Sequence, residues 1–338
     1  MSGLTVAITG PTGDIGRTLI PALERLPEVE RIRGMARRPF DPAARGWTKT
    51  EYRQGDVLDR DAVDELVAGA DVVVHLAFII FGSRDETREV NLKGSRTVFE
   101  ATVAAGAQRL VYTSSVAAYG FRPGRPHTLT EETEPEGTGG FYYSAQKAEL
   151  EGLLREVVGP SGTDAYVFRP CIVAGSDALL LIEDVVRQFQ IGGRTAPFRK
   201  LMGVVPGLKP AIPDNGVPFQ LVHHDDVAEA LAAAVAGRGE PGIYNLAAEG
   251  TLTMADVAEE LGWRRVPVPD AAVAVAAAAV THVPQLPSGM AWVHALRVPS
   301  IMTTAKAREQ LGWTPRHDAH ETLAQTVRCA REKGLVAA

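Results

Sequence analysis

The chain has 338 residues, a formal net charge of −6 and charged side chains at 22% of its positions, with no clustered basic segment. This length exceeds that of a usual single-core domain, which favours a large domain with a smaller partner. The acidic balance argues against nucleic acid as a partner.

Cysteine usage and the N-terminal segment bear on the compartment. Cys171 and Cys329 are the only cysteines, and without a Cys/His cluster they indicate neither disulfides nor a metal site. The first ten residues lack a basic leader, which predicts no signal peptide. The Ala/Val-rich segment 271–283 is shorter than the about 20 apolar residues of a membrane span. These features predict a cytoplasmic protein without a membrane span or a metal.

The first half of the chain alternates short apolar runs with helical patterns, which is typical of a parallel sheet covered on both faces. The predicted strands are 4–9, 31–36, 72–76, 110–113 and 165–169. The predicted helices are 15–26, 61–68, 88–105 and 142–157. We therefore expect an α/β fold with a Rossmann-type doubly wound parallel sheet.

The composition changes after Pro170. Residues 192–218 are rich in Gly and Pro and are typical of loops that shape a pocket. Residues 220–223 predict a short strand that enters an Ala-rich helix, with Asp225 or Asp226 as its N-cap.

The last third of the chain predicts one more strand and a set of helices. The strand is 242–247, so the main sheet is completed late in the sequence, and the helical patterns lie at 253–261, 271–281, 303–311 and 319–333. We expect a dinucleotide-binding domain of residues 1–170 plus 219–248. A smaller substrate-binding α/β unit of residues 171–218 plus 249–338 would complete the chain.

The first chemical motif is a glycine pattern. Gly10, Gly13 and Gly16 lie where the first strand turns into a helix. Glycine there allows a tight turn and a close backbone approach, so that amide groups at the helix start can bind a pyrophosphate. This pattern predicts a dinucleotide site, whereas the alternative is an ordinary glycine-rich turn.

The residues at the ends of the following strands bear on the choice between NADP(H) and NAD(H) and on how the dinucleotide is bound. The second strand ends in Arg37 and Arg38 instead of an acid, which favours NADP(H) and leaves NAD(H) possible. The alternative is that both arginines are solvated turn residues. Asp56 is placed to reach the adenine amino group, with Val57 against the ring, and the small residues after His75 would let the nicotinamide half pass.

The second motif is Tyr143 with Lys147, four residues apart and therefore on one helix face. An ordinary phenol has a pKa near 10, and a nearby ammonium, aided by the positive nicotinamide of an oxidised cofactor, would lower that pKa toward the working range. Ser115, at the end of an apolar strand, would hold the substrate oxygen. Together these residues predict proton transfer at a carbonyl or carbinol carbon.

Matching segments run over nearly the whole chain, from Thr9–Gly13 through Asn91, Thr113–Ser115, Tyr143 and Lys147 to the C-terminal segment 305–315. In these segments the sequence resembles the extended short-chain dehydrogenase/reductase family, also called the NAD-dependent epimerase/dehydratase family. The resemblance implies Tyr143 as acid/base, Lys147 as its partner and ribose ligand, Ser115 as the orienting residue and Asn91 as a supporting residue. The implied cofactor-binding residues are Gly10, Thr12, Gly13, Asp14, Ile15, Gly16, Arg37, Arg38, Asp56, Val57, Leu76, Ala77, Thr113, Tyr143, Lys147 and Pro170. A homodimer through helices 92–105 and 142–157 is also implied.

Departures from the family patterns narrow the chemistry. Val116 and Ala117 stand where sugar-nucleotide dehydratases carry an Asp-Glu pair, which disfavours dehydration. Phe168–Cys171 and Pro218–Leu221 do not resemble the segments that grip a nucleotide diphosphate. Apolar residues in the pocket-forming stretches favour a mostly apolar small molecule instead; they are Phe78, Ile79, Ile80, Phe81, Leu179, Leu180, Leu181, Ile182, Phe198, Met202 and Trp292.

The favoured hypothesis is an NAD(P)(H)-dependent oxidoreductase that reduces a carbonyl, or oxidises the alcohol, of such a molecule. A sugar or sugar-nucleotide epimerase would use the same residues twice and would retain its NAD. A non-catalytic dinucleotide sensor is a third reading, although it would have little need of Ser115, Tyr143 and Lys147 together.

Overall fold

The computed structural model describes residues 3–80, 84–126, 128–183, 185–186, 210–275, 294–295 and 297–336. Its strands are β1 (Leu4–Thr9), β2 (Val29–Ala36), β3 (Thr50–Gln54), β4 (Val72–His75), β5 (Arg109–Thr113), β6 (Thr128–Leu129), β7 (Asp164–Pro170), β8 (Ile172–Ala174), β9 (Ala211–Asp214), β10 (Leu221–His223), β11 (Gly242–Leu246), β12 (Arg264–Pro267) and β13 (Ile301–Met302). Seven of them form one sheet in the order β11-β7-β5-β4-β1-β2-β3. All pairings in this sheet are parallel, which confirms the predicted fold class.

Helices cover the sheet, and most of them match the predicted ranges within a few residues. They are α1 (Asp14–Glu24), α2 (Arg60–Val67), α3 (Arg84–Arg88), α4 (Gly94–Ala104), α5 (Tyr142–Val158), α6 (His224–Val235), α7 (Met254–Leu261), α8 (Ala305–Leu311) and α9 (Ala319–Glu332). The predicted continuous helix over 88–105 is interrupted, since Glu89–Lys93 form a π-helical turn between α3 and α4. Such turns are frequent at functional sites.

Apolar packing on both faces explains why the strands are nearly continuous hydrophobic runs. β4, with the sequence Val-Val-Val-His, is buried along its whole length. One face packs on α1 and α6 through residues such as Leu23 and Leu231. The other face packs on α2, α4 and α5 through residues such as Phe99 and Leu150.

The strand order reverses between β1 and β4, which are neighbours although β2 and β3 lie between them in sequence. In an open parallel sheet the crevice at such a point is the usual ligand site. Gly10 follows β1 there, and Leu76 and Ala77 follow β4.

The predicted N-cap of α6 is wrong. His223, and not Asp225 or Asp226, occupies that position, and its Nδ1 atom accepts from the Asp225 backbone N at 3.2 Å. The Asp226 carboxylate instead accepts from the backbone N of Arg316 and of His317, at 2.9 and 3.3 Å. It therefore anchors the C-terminal segment.

The C-terminal part adds smaller structures beside the main sheet. Three two-stranded parallel pairs join β8 with β10, β9 with β12 and β6 with β13. None of the described helices has the length and apolar composition that crossing a bilayer requires. Residues 192–209 and 276–283 of the predicted segments lie outside the described residues, as do Phe81, Phe198, Met202 and Trp292.

Candidate functional site

The glycine turn after β1 is shaped by steric necessity. Gly10 has a φ of +76°, in the left-handed region, and a Cβ there would lie 2.9 Å from the Ala77 backbone N. A Cβ on Gly16 would lie 2.5 Å from the Gly10 carbonyl oxygen. At Gly13 the nearest such atom is 3.5 Å away, so a Cβ there would make an ordinary van der Waals contact. The turn brings strand, loop and helix backbones closer than side chains would permit.

Helix α1 begins at this turn without a side-chain cap. Its N-cap is Gly13, and no side chain accepts from the first-turn amides. Asp14 pairs with Arg17 at 2.9 Å, and Ile15 packs partly on the core. Uncapped amides at a helix N-terminus suit an anion, and with half-buried Thr12 this segment fits a pyrophosphate.

Arg37 and Arg38 follow β2 with exposed side chains. Their backbone is held from β3, because Gln54 Nε2 donates to the Arg37 carbonyl at 2.9 Å and the Tyr52 hydroxyl donates to the Arg38 carbonyl. Within the described part of the chain, neither guanidinium has an ion-pair partner. Both are therefore available to a phosphate at this edge.

Asp56 and Val57 follow β3. One carboxylate oxygen of Asp56 accepts from the Leu58 backbone N at 3.0 Å, which closes a local turn. Val57 is buried, and a Cβ on Gly94 would lie 2.5 Å from its Cγ2 atom. Val57 therefore packs against the start of α4, beside the same crevice.

His75, at the end of β4, has a structural environment. Its Nδ1 and Nε2 atoms hydrogen-bond Thr9 Oγ1 at 2.7 Å and Ser95 Oγ at 2.8 Å. Burial, with a contribution from the charge of Lys147, lowers the pKa of His75 to about 3. Neutral His75 thus ties β1 and β4 to α4.

Ser115 and Tyr143 meet although 28 residues separate them in the sequence. Ser115 caps a short 3-10 turn, and its Oγ accepts from the Ala117 backbone N at 3.1 Å. Tyr143 lies in the first turn of α5 and is hydrogen-bonded to the Ser115 side chain. Burial raises the pKa of Tyr143, and the bond to Ser115 opposes this only in part.

Lys147 is buried one turn further along α5. Its Nζ donates to the Thr113 carbonyl at 2.8 Å and lies 3.9 Å from the centroid of the Phe78 ring. Burial lowers the pKa of Lys147 to about 7, while Glu151 raises it. In this arrangement burial of the phenol raises the pKa of Tyr143, and the ammonium is held by the Thr113 carbonyl. The lowering expected from the ammonium together with an oxidised nicotinamide stays a prediction.

Asn91 lies in the π-helical turn and is fully buried. Its Oδ1 accepts from the Ile79 backbone N at 2.8 Å, and its Nδ2 donates to the Ile79 carbonyl at 2.9 Å. Nδ2 also donates to Gln146 Oε1 at 2.8 Å. Asn91 thus joins the loop after β4 to α5.

Two of the remaining cofactor candidates lie at the carboxyl ends of strands in the same sheet. Thr113 ends β5, and its Oγ1 is buried without a hydrogen-bond partner in the described structure. Pro170 ends β7, opposite Leu246 of β11.

An aromatic cluster beside the tyrosine contains a residue that sequence reasoning missed. Phe78 and Phe141 contact the Tyr143 ring, with centroids at 5.5 and 5.8 Å. His294 stacks on Phe141 at 6.3 Å and is 2% exposed, yet both ring nitrogens lack a partner among the described residues. No local pattern around position 294 signals this contact.

Sequence reasoning also missed a histidine cluster. His223, Asp225 and His317 place atoms of metal-ligand type within 4.8 Å of one another. Hydrogen bonds within the protein already hold this cluster, because His223 Nδ1 accepts from Asp225 N at 3.2 Å and His317 Nδ1 is bonded to Gln325 at 3.2 Å.

Comparison with protein families gives one match. Residues 6–247 match the model of the NAD dependent epimerase/dehydratase family. The matched range covers the glycine turn, Ser115, Tyr143 and Lys147.

Curated relatives include proteins of several kinds. An uncharacterized protein of Sinorhizobium fredii is 28% identical over 95% of this chain and 77% of its own. Ceramide reductase of Caulobacter vibrioides is 30% identical over 92% of this chain and 86% of its own. Sterol demethylase protein B of Methylococcus capsulatus is 31% identical over 51% of this chain, and the match spans only 52% of that relative's length.

The fold also resembles solved structures. A short-chain dehydrogenase/reductase superfamily protein of Agrobacterium tumefaciens with bound NAD has a TM-score of 0.73 at 20% identity. The match covers 97% of this chain and 98% of that one. At this identity the likeness concerns the fold.

Proposed function

Because the chain belongs to the NAD-dependent epimerase/dehydratase family, we propose that it is an NAD(P)(H)-dependent oxidoreductase that interconverts a carbonyl and an alcohol on a mostly apolar small molecule. The observation that carries this proposal is the meeting of Tyr143 with Ser115 beside buried Lys147, at the same sheet edge as the glycine turn. The three side chains supply what proton transfer at an oxygen requires.

The residues around the crevice fit a dinucleotide. Backbones approach at Gly10 and Gly16 where a Cβ would collide, and the start of α1 is uncapped. Thr113 Oγ1 and one carboxylate oxygen of Asp56, which have no hydrogen-bond partner among the described residues, would add polar contacts. When bound, the nicotinamide supplies a hydride in reduction or accepts one in oxidation.

The protein's own part in reduction is to place and protonate the substrate oxygen. Ser115 would donate a hydrogen bond to the carbonyl oxygen, and Tyr143 would transfer its phenolic proton to that oxygen as the carbon is reduced. Burial raises the pKa of Tyr143, so the phenol carries this proton at neutral pH. Asn91 would fix the position of the loop after β4 relative to helix α5.

The cofactor preference is part of the proposal. Arg37 and Arg38 are exposed and without ion pairs to described residues, and arginine matches a 2′-phosphate through charge-assisted hydrogen bonds. We therefore propose that the protein binds NADP(H) in preference to NAD(H).

The proposed substrate class is supported by the residues near Tyr143. Val116 and Ala117 are buried where an acid pair would be needed for dehydration. Phe78, Phe141 and Tyr143 form a largely buried aromatic cluster, and the His294 ring stacks on Phe141. Such surroundings suit a large apolar molecule with an isolated polar group. The names of two relatives refer to lipids, a ceramide and a sterol.

The proposal also covers the assembly and the location of the protein. We place a homodimer interface on α4 and α5, whose outer faces carry the ion pair Arg96–Glu156 at 3.4 Å. Cys171 and Cys329 are both free thiols, which agrees with a reducing cytoplasm. Light scattering after size exclusion would show a mass of one chain if this dimer is wrong.

The decisive experiment begins with freshly purified protein. Bound nucleotide is released by denaturation and quantified, NADPH and NADH affinities are measured by calorimetry, and NADPH oxidation is followed with a panel of lipid-like ketones. The proposal is supported if the purified protein holds no nucleotide, binds NADPH more tightly than NADH, and oxidises NADPH in the presence of a ketone. Stoichiometric retained NAD without ketone turnover would instead support the epimerase, which recycles its cofactor internally.

A further inference from the structure

Behind the catalytic side chains lies a buried ion pair. The Glu151 carboxylate accepts from Arg169 Nε at 2.9 Å and from Arg169 Nη2 at 2.5 Å. Glu151 is 2% exposed and Arg169 is 0% exposed. A bidentate pair in such surroundings is rigid, and both charges depend on each other.

A third group fixes the carboxylate relative to the active-site strand end. Ser114 Oγ donates to Glu151 Oε1 at 2.6 Å, and the Ser114 backbone N donates to the Phe168 carbonyl at 2.7 Å. Ser114 stands between Thr113, which binds Lys147, and Ser115, which bonds Tyr143. Glu151 therefore holds the strand segment that carries two of the site's contacts.

Arg169 also contacts residues other than Glu151. Its guanidinium lies 4.4 Å from the centroid of the Tyr119 ring, and Nη1 donates to the Thr133 carbonyl at 3.3 Å. Arg169 is thus fixed by Tyr119 and Thr133 as well as by the carboxylate of Glu151.

Lys147 and Glu151 lie one turn apart on α5, and both are buried. Other groups near Lys147 are His75 on β4, which is affected by the Lys147 charge, and Tyr112 on β5, whose ring centroid is 5.3 Å from Nζ, with Tyr143 one turn earlier on the same helix. None of these three is an anion at neutral pH. Among the described residues, Glu151 is the carboxylate that acts on Lys147.

We propose that Glu151 is a positioning residue, a counter-ion held by the bidentate contact with Arg169, and that it raises the fraction of Lys147 present as an ammonium at neutral pH. A buried ammonium without such a partner would lose its proton well below neutral pH. The consequence for turnover rests on the proposed function, whereas the protonation of Lys147 can be measured without any substrate.

The test is an NMR titration of protein labelled with ¹³C at lysine Cε. The Lys147 signal is assigned by its loss in Lys147→Arg, and its titration is compared in wild type, Glu151→Gln and Ser114→Ala. Glu151→Gln should lower the pKa of Lys147 by about one unit or more, because a nearby opposite charge is removed. Ser114→Ala keeps the carboxylate and should leave the titration within about 0.3 unit of wild type.

Two results would overturn the proposal. One is an unchanged Lys147 titration in folded Glu151→Gln protein, and the other is an equal shift in Ser114→Ala, which would assign the effect to packing. If Glu151→Gln does not fold, the double variant Glu151→Gln/Arg169→Met removes the unpaired guanidinium, and the same downward shift is expected. If wild type reduces no ketone, the proposed function fails while the titration still decides the role of Glu151.

Discussion

The Nζ atom of Lys147 donates a 2.8 Å hydrogen bond to the carbonyl oxygen of Thr113, two residues before Ser115. This bond joins α5 to the end of β5 and holds Lys147 close to the strand end that continues into Ser115. The ammonium is buried against Phe78.

Removing the phenolic hydroxyl should abolish proton transfer. Tyr143→Phe should reduce ketone turnover by about 10²–10⁴-fold, the usual contribution of a positioned general acid, while NADPH affinity stays unchanged. The matched control is Tyr142→Phe, which removes a neighbouring hydroxyl that donates to the Ile80 carbonyl at 2.7 Å. Steady-state kinetics and calorimetry make the comparison, and equal losses in both variants would contradict the assignment of Tyr143.

The arginines after β2 should distinguish the two cofactors. The double variant Arg37→Ala/Arg38→Ala should weaken NADPH binding by about tenfold or more, because charge-assisted bonds to a phosphate are lost, and should leave NADH binding unchanged. Calorimetry with both cofactors checks this. Arg238→Ala, at an exposed position after α6, is the control, and parallel losses for NADPH and NADH would show a general electrostatic effect.

Lys147 should impose a pH dependence on stability. Its folded pKa is lowered from 10.5 to about 7, so the buried ammonium destabilises the fold below about pH 7. This cost is relieved as pH rises from 7 toward 10.5, because the folded protein then releases a proton that the unfolded chain retains.

Lys147→Met should therefore raise the free energy of unfolding at about pH 6 by at least about 1 kcal/mol. The gain over wild type should shrink as pH rises through 7. Urea unfolding of both proteins across this range measures the difference, with exposed Lys93→Met as the control. A gain that is constant with pH would mean that hydrophobic packing alone causes it.

We expect His294 to lower the stability of the fold and to favour substrates that carry a second polar group. Both ring nitrogens are buried without a partner in the described structure, and an unsatisfied buried polar group costs about 1–3 kcal/mol. His294→Leu should raise the melting temperature while it lowers kcat/KM for ketones that carry a second polar group. Thermal unfolding and kinetics with matched hydroxylated and deoxy ketones check this, and His320→Leu, at an exposed position, is the control. A variant less stable than wild type, with the same substrate preference, would contradict this role.

Local information sufficed for much of the fold and for part of the site. The apolar runs of β1, β4 and β5 and the spacing of Tyr143 and Lys147 depend on periodicity along the chain, so they could be predicted from the sequence. The glycine pattern likewise predicts its turn, because the steric demand at Gly16 comes from Gly10 and Pro11, only a few residues away. The close contact at Gly10 is with Ala77 after β4 and depends on the pairing of β1 with β4. The π-helical turn at Asn91 escaped prediction, because the sequence around it is compatible with a regular helix.

The sequence by itself determined the parallel α/β class, the glycine turn and the helix face that carries Tyr143 and Lys147. The tertiary structure alone decided that Ser115 bonds Tyr143, that Arg169 and Ser114 clamp Glu151, and that His294 stacks on Phe141. These contacts join residues far apart in sequence, so they depend on strand order and packing. Burial, which also follows from packing, decided that the pKa of Tyr143 moves up and that of Lys147 moves down.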